Sequence, residues 1–326
     1  MPVARFLQSS PGGAGELGEV AVPAVRPTSV ASIHASDLHL TLTPPPARAK
    51  EPDWLEAQKR PLDQIRRLAE EHQAPVFYSG DVFDRPQVSP ELVNWTIKHL
   101  PKGYAIAGNH DLKWHNHEDL HKTSYQTLVE AGVLIDLVCG KPVAIGQARY
   151  WGFPWGFPVR PLKKRHGLAL EVALVHAYVW VGESGHFKSP KDAHLDQWEK
   201  RLASYDAAFF GDNHSGFVSR CGSCRVANTG TMTRRRRDEG GYRPFAALLH
   251  EDGSIEKRYL DCSEDVFSAE GGSKKAAKVP SRFAKELGSL ERTGEDFEAE
   301  VEAELRTSKA GKLVEQIVHK AMEAEK

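Results

Sequence analysis

Between residues 30 and 260, short apolar runs alternate with amphipathic stretches, and most apolar runs empty into a cluster of polar residues. Val30 to Ser36 is apolar or small and predicts a buried strand running into Asp37-Leu38-His39. A proline-rich loop follows from Thr41 to Ala49, and then Leu55, Leu62, Ile65 and Leu68 recur near helical spacing over Trp54 to His72. Pro75 stops that helix. Val76 to Tyr78 predicts a strand ending in Gly80-Asp81-Val82-Phe83-Asp84. Ser89 as a cap and Pro90 at the first position open a second helix that reaches Leu100. Tyr104 to Ala107 is a third strand, ending in Gly108-Asn109-His110-Asp111. Beyond it the pattern predicts a helix over Ser124 to Ala131 and short strands over Val133 to Val138, Pro142 to Ile145 and Ala148 to Trp151. Two strongly apolar strands follow: Glu171 to Val175 ends in His176, and Asp206 to Phe210 ends in Gly211-Asp212-Asn213-His214. Phe217 to Arg220 and Arg225 to Asn228 read as a hairpin, and Phe245 to Leu249 and Ile255 to Leu260 as closing strands around Asp252-Gly253.

Strands alternating with helices imply an α/β fold with a largely parallel sheet, whose sites lie at the carboxyl ends of its strands. The polar clusters should therefore converge. In an extended segment residues i and i+2 share a face, so Asp37 and His39 are expected to point the same way. The collected candidates are Asp37, His39, Asp81, Asn109, His176, Asp212 and His214, with His110 and Asp84 beside them. Carboxylate, amide and imidazole donors without thiolate suit Mn²⁺, Mg²⁺, Fe²⁺ or Zn²⁺. A pair of divalent ions needs a bridging carboxylate, and Asp81 at a strand end is the natural one. Such a pair activates a shared water as a bridging hydroxide and clamps a phosphate oxygen. His110 is placed to protonate a leaving oxygen, with Asp84 holding its tautomer.

The remaining chemistry-bearing stretches have bland readings beside the functional ones. His115, His117 and His121 read first as solvated loop histidines. The aromatic stretch Trp151 to Pro158 is equally a wall for stacking bases or packing beneath a loop. Cys221-Gly-Ser-Cys224 reads as a plain turn, since a structural zinc site needs four ligands. Arg85 and the run Arg234, Arg235, Arg236 and Arg237 are candidates for phosphate-backbone contact, as is the basic stretch Arg160 to His166.

Bulk properties bound these readings. The chain has 326 residues, 40% apolar and 27% charged, with a net charge of −1. Attraction to a polyanion must therefore come from local patches. Four scattered cysteines exclude a disulfide scaffold and favour a reducing cytoplasm. No apolar run is long enough to span a membrane. Residues 1–28 are expected to be a flexible leader, 29–265 a single catalytic domain, 266–280 a linker, and 281–326 a small C-terminal helical appendage. Phe283, Leu287, Leu290, Phe297, Val301, Leu305, Leu313 and Ile317 supply its apolar positions, too few for an independent core. A partner helix or a second copy is the expected contact.

The series Ser36-Asp37-Leu38-His39, Gly80-Asp81-Val82-Phe83-Asp84, Gly108-Asn109-His110-Asp111, His176 and Gly211-Asp212-Asn213-His214 resembles the calcineurin-like metallophosphoesterase family. The resemblance implies a two-sheet α/β sandwich flanked by helices, with a dinuclear metal centre at its edge. It implies one metal held by Asp37, His39, Asp81 and His214, and a second by Asp81, Asn109, His176 and residue 212. The family pattern at the last motif is Gly-His-x-His, and Asp212 replaces its first histidine. A harder, charged ligand tilts that site toward Mn²⁺ or Mg²⁺. Within the family the motifs, together with Asn228 to Arg234, are similar to the DNA repair exonuclease branch that includes the nuclease subunit of SbcCD, and to its phage-encoded relatives. This implies a DNA phosphodiesterase, with an SbcC-like coiled-coil ATPase as a partner for the C-terminal helices. The alternatives are a phosphomonoesterase or protein serine/threonine phosphatase, whose Gly-Asp-x-x-Asp-Arg-Gly pattern is matched at Arg85 but not at Pro86, and a non-catalytic binding subunit.

Overall fold

The computed structural model describes residues 29–163, 167, 169–182 and 189–268. The expected leader 1–28, nearly all of the linker 266–280 and the helices of 281–326 lie outside the described residues. The elements follow in chain order as β1 (Val30–Ala35), α1 (Trp54–His72), β2 (Val76–Tyr78), α2 (Pro90–His99), β3 (Gly103–Ala105), α3 (Ser124–Glu130) and β4 (Leu134–Asp136). Next come β5 (Val143–Ile145), β6 (Ala148–Phe153), β7 (Leu170–His176), α4 (Glu199–Leu202), β8 (Ala207–Gly211), β9 (Phe217–Cys221), β10 (Cys224–Asn228), β11 (Phe245–His250) and β12 (Ile255–Tyr259).

The strands form two six-stranded mixed sheets, in the orders β12-β11-β1-β2-β3-β4 and β5-β6-β7-β8-β10-β9. β1 through β4 pair in parallel, as do β6, β7, β8 and β10, while β11 and β12 close the first sheet antiparallel. The helices between parallel strands are started by their caps. Asp53 accepts the N–H of Glu56 at the head of α1, and Ser89 accepts that of Leu92 at the head of α2. α1 buries Ala57, Gln58, Pro61, Leu62, Ile65 and Leu68, the i, i+3, i+4 stripe that faces the sheet.

Three apolar layers result. Ile33, Leu62, Ile65, Tyr78, Leu92 and Tyr125 fill the space between the first sheet and its helices. Phe77, Tyr150, Leu174, Phe209 and Phe245 lie between the two sheets, with the Phe77 and Tyr150 rings stacked at 4.0 Å. Val175, Trp198, Leu202 and Phe210 cover the outer face of the second sheet. The fold is thus an α/β sandwich of two mixed sheets flanked by helices. The sheets are also joined near their carboxyl ends, where the Ser79 hydroxyl donates to the Phe209 carbonyl at 3.2 Å. That edge carries the polar clusters. No helix among the described residues is long and apolar enough to cross a membrane.

Candidate metal centre

β1 ends at Ala35, and the chain then turns left-handed: Asp37 has φ 52° and His39 has φ 44°. The two side chains share a site because of this coil, which corrects the expectation of an extended i, i+2 pair. Asp81 (φ 54°) and Asp212 (φ 85°) adopt the same region, sparsely populated by residues with a Cβ. Four of the candidate ligands thus occupy strained backbone, as residues at functional sites often do.

Potential ligand atoms gather in three groups, each mutually within 4.8 Å: Asp37, His39 and His214; His39, Asp81 and His110; and Asp37, Asp81 and His176. The Nε2 atoms of His39 and His214 face each other at 2.9 Å, and His39 Nε2 lies 3.6 Å from Asp81 Oδ2. On the other side, His176 Nε2 lies 3.4 Å from Asp81 Oδ1 and 3.0 Å from Asn109 Oδ1. Asp81 therefore stands between a His39 side and a His176 side. Asp212 belongs to none of the three groups. Its main-chain N–H donates to Asp37 Oδ1 at 2.9 Å, and Asp37 is the carboxylate that reaches both sides. The Asp212 carboxylate is near enough to act on the same cluster, since it is one of the charges that raise the His176 imidazole.

Electrostatics match a cation site. Burial pulls the His176 imidazole down, but the surrounding carboxylates of Asp81, Asp37 and Asp212 together outweigh this and push it up to about 10. Burial also raises Asp37, which the His176 and His214 rings oppose. Burial lowers His39 well below the usual imidazole range, so its ring is neutral. A proton on His176 thus balances the buried carboxylates where a divalent ion would. Asp37 Oδ2 is buried with no hydrogen-bond partner, which fits a cluster built for a divalent cation. The donor set of carboxylates, imidazoles and one amide, without thiolate, fits a hard or borderline divalent metal.

The neighbours of the ligands explain their placement. His176 Nδ1 lies 2.6 Å from the Ser79 carbonyl, an acceptor that turns Nε2 inward. A Cβ on Gly80 would fall 2.2 Å from His176 Nδ1, one on Gly108 2.1 Å from Asp81 Oδ1, and one on Gly211 2.3 Å from the Ser79 carbonyl. The glycine in front of each motif is the space the cluster occupies. The Asp111 carboxylate accepts from the main-chain N–H groups of Gly108, Val82 and Phe83 at 3.0–3.3 Å, buckling the loops after β2 and β3 together. Burial and the neighbouring Asp81 push its carboxyl up to about 7. Sequence reasoning quoted Asp111 only as part of a motif. The Asn228 to Arg234 segment clasps the remaining ligands: Asn228 donates to the Asn213 carbonyl at 2.8 Å, and the Thr231 hydroxyl to the Asp37 carbonyl at 3.3 Å.

His110 is exposed, its ring edge-on to His39 at 4.7 Å, and its main-chain N–H donates to Asp81 Oδ1 at 2.9 Å. Its Nδ1 bonds the main-chain carbonyl of Asp84 at 2.9 Å. Asp84 therefore sets the His110 tautomer through its backbone and not through its carboxylate, which faces Arg235 Nη1 at 2.6 Å and His39 Nδ1 at 3.7 Å. Arg234 also departs from expectation. It donates to Asp265 and to the carbonyls of Gly240 and Cys262 and is nearly buried, so it serves the fold. Arg85, Arg236 and Arg237 are exposed.

His115 packs against Trp155, His117 reaches the Trp155 carbonyl at 2.6 Å, and His121 bonds the Glu118 carbonyl, so these rings serve loop structure. Trp155 N–H in turn bonds the Ala107 carbonyl at 3.1 Å, which hangs the aromatic loop beside the end of β3. Cys221 and Cys224 face each other in the β9–β10 hairpin as free thiols, an ordinary turn.

A sequence model of the calcineurin-like phosphoesterase family matches residues 32–216. No curated protein matches the chain in sequence. Among solved structures the chain is similar to a provisionally assigned 5'-nucleotidase from Staphylococcus aureus, at 15% identity and a TM-score of 0.44 over 71% of this chain and 53% of that one. It is also similar to the Thermus thermophilus sulfate thiohydrolase SoxB, at 15% identity and a TM-score of 0.38 over 63% of this chain and 42% of that one. An archaeal phosphodiesterase is similar at 14% identity and a TM-score of 0.36, over 61% of this chain and 92% of that one. The chain thus spans about half the length of the first two.

Proposed function

The chain belongs to the calcineurin-like phosphoesterase family, and from that premise we propose that it is a two-metal phosphodiesterase that hydrolyses DNA. The observation that carries the reading is the convergence of Asp37, His39, Asp81, Asn109, His176 and His214 at one sheet edge, with exposed His110 above them. Asp37, His39, Asp81 and His214 would hold one divalent ion, and Asp81, Asn109, His176 and Asp212 the other, with Asp37 within reach of both sides. When bound, the ions supply acidity to a water and positive charge to a phosphate. The protein's own part is to aim them. Ser79 and the motif glycines lock His176, Asp111 locks the loops carrying Asp81 and Asn109, and His110 delivers a proton to the departing sugar oxygen. Mn²⁺ is the metal we favour, because the donor set is carboxylate-rich and Asp212 stands where the family pattern has a second histidine.

Several features support a polymeric substrate. His110 and Arg85 face solvent, Arg236 and Arg237 are exposed, and Trp114 and Phe157 are 39% and 40% exposed. These two aromatic side chains lie on loops laced together through Trp155, beside the loop after β3 that carries Asn109. Aromatic faces of this kind contribute about 1–3 kcal/mol per stacked base. The test is end-labelled DNA incubated with Mn²⁺ and the full chain, with His110→Ala alongside. We expect degradation by the wild type and a loss of about 10²–10⁴-fold in the variant. Intact DNA in both lanes rejects the nuclease reading. Rapid turnover of p-nitrophenyl phosphate over intact DNA would favour a phosphatase, a reading that Arg85 directly after Asp84 supports.

We further propose that residues 281–326 pair with a coiled-coil ATPase or with a second copy, on their amphipathic pattern alone. The free thiols Cys139, Cys221, Cys224 and Cys262 support work in a reducing cytoplasm.

A further inference from the structure

His39 and His176 differ behind the metal cluster. His176 has an acceptor for Nδ1, the Ser79 carbonyl at 2.6 Å. His39 Nδ1 is buried with no hydrogen-bond partner, and the Asp84 carboxylate lies 3.7 Å from it. A histidine that gives its Nε2 lone pair to a cation must carry its proton on Nδ1, and a buried N–H needs an acceptor. The Asp84 carboxylate is not occupied by His110, which uses the Asp84 main-chain carbonyl instead. It is held by Arg235 Nη1 at 2.6 Å, from a residue 151 positions further along the chain.

We propose that Asp84 and Arg235 form a positioning pair for His39, in which Arg235 holds the carboxylate that accepts the Nδ1–H of His39 when its Nε2 ligates a divalent cation. No proton is transferred; the carboxylate orients the ring and fixes its tautomer. Arg235 is then distinct from its neighbours: Arg234 braces Asp265, while Arg236 and Arg237 lie on the surface. The inference rests on the metal-centre part of the proposed function and not on DNA as the substrate.

The experiment is Mn²⁺ binding to the full chain, by calorimetry or equilibrium dialysis, for the wild type, Asp84→Asn, Arg235→Gln, Arg235→Lys and the double variant Asp84→Asn/Arg235→Gln. Asp84→Asn keeps the main-chain carbonyl and therefore the orientation of His110. We expect each of Asp84→Asn and Arg235→Gln to weaken Mn²⁺ binding about 10–100-fold. The double variant should be no weaker than the weaker single, and Arg235→Lys should recover part of the loss. With bis-p-nitrophenyl phosphate at saturating Mn²⁺, KM of Arg235→Gln should match the wild type. Unchanged Mn²⁺ affinity with a raised KM would overturn the proposal and make Arg235 a substrate contact. Melting temperatures in EDTA separate a folding defect from a binding one, and the charge-conserving Arg235→Lys keeps the test valid if Arg235→Gln unfolds. Weakened Mn²⁺ binding in a chain that leaves DNA intact keeps this inference and removes the nuclease reading. A wild type that binds no Mn²⁺ removes both.

Discussion

His34 lies three residues before the first ligand and takes no part in the metal cluster. Its ring is fully buried between the sheets, stacked on Phe77 and Phe209, with Ser32 Oγ 2.8 Å from Nε2. Burial lowers its imidazole well below the usual range, so the folded chain keeps it neutral. The unfolded chain protonates it below about pH 6.5. The unfolded state therefore binds the extra proton, and stability is lost as pH falls through that value and is fully present above it. Compared with His34→Phe in urea unfolding, the wild type should lose up to about 1.4 kcal/mol more per pH unit below pH 6. A constant difference between the two from pH 7 to 5 would show that folded His34 accepts the proton. Gly108 presents a steric case at the same scale. A Cβ there meets Asp81 Oδ1 at 2.1 Å and the Asp81 main-chain nitrogen at 2.5 Å, and that backbone cannot swing aside. Gly108→Ala should cost about 1–3 kcal/mol by overpacking and weaken Mn²⁺ binding at least tenfold. Calorimetric titration with Mn²⁺ checks this, and an unchanged affinity would refute it.

At the scale of elements, the loop after β1 braces the far edge of the fold through one residue. Arg48 is fully buried and donates to Glu51, Asp265 and the carbonyls of Arg234 and Val266, with Trp54 and Phe267 against its guanidinium face. Arg60 adds contacts to the same two carboxylates. Arg48→Met leaves two buried carboxylates short of a partner and should destabilise by about 3–5 kcal/mol, read in urea unfolding. It should also open residues 262–268 to limited proteolysis. None of this is visible in the sequence, where Arg48 stands in a proline-rich loop and Asp265 at a proposed domain boundary. By contrast, β1, β7 and β8 are legible because strands buried on both faces must be continuous apolar runs. The helices α1 and α2 are legible from their caps and stripes. α4 and the turn Leu195–Trp198 before it are too short to show a period, although Trp198 and Leu202 seal the second sheet. The motif residues could be placed at strand ends, but the left-handed backbone of Asp37 and His39 could not be read from spacing. The four arginines at 234–237 look alike in sequence and separate only through partners far along the chain.

Across the whole molecule, the metal centre is also a clamp. Asp37, Asp81 and Asn109 follow strands of the first sheet, while His176, Asp212 and His214 belong to or follow strands of the second. Without an ion the two groups meet through few bonds, among them Ser79 to Phe209, His176 to Ser79 and Asp212 to Asp37. Buried carboxylates and imidazoles brought together by folding resist that folding until a cation compensates them. Because the unfolded chain has no such cluster, a bound ion adds stability by mass action, about 2.7 kcal/mol at a hundred times its dissociation constant. For a fold of this size that corresponds to a rise of about 5–10 °C in Tm. The rise should be largest for Mn²⁺ if the centre is as carboxylate-dominated as its donors indicate, and EDTA should abolish it. Asp81→Asn removes the carboxylate shared by both sides while keeping its shape. The variant should therefore melt at the same temperature with and without Mn²⁺. His110→Ala, whose ring stands at the solvent face of the cluster, should keep most of the shift while losing turnover. A full Mn²⁺ shift in Asp81→Asn would mean that the ion binds elsewhere and that the two sheets are not joined through this centre.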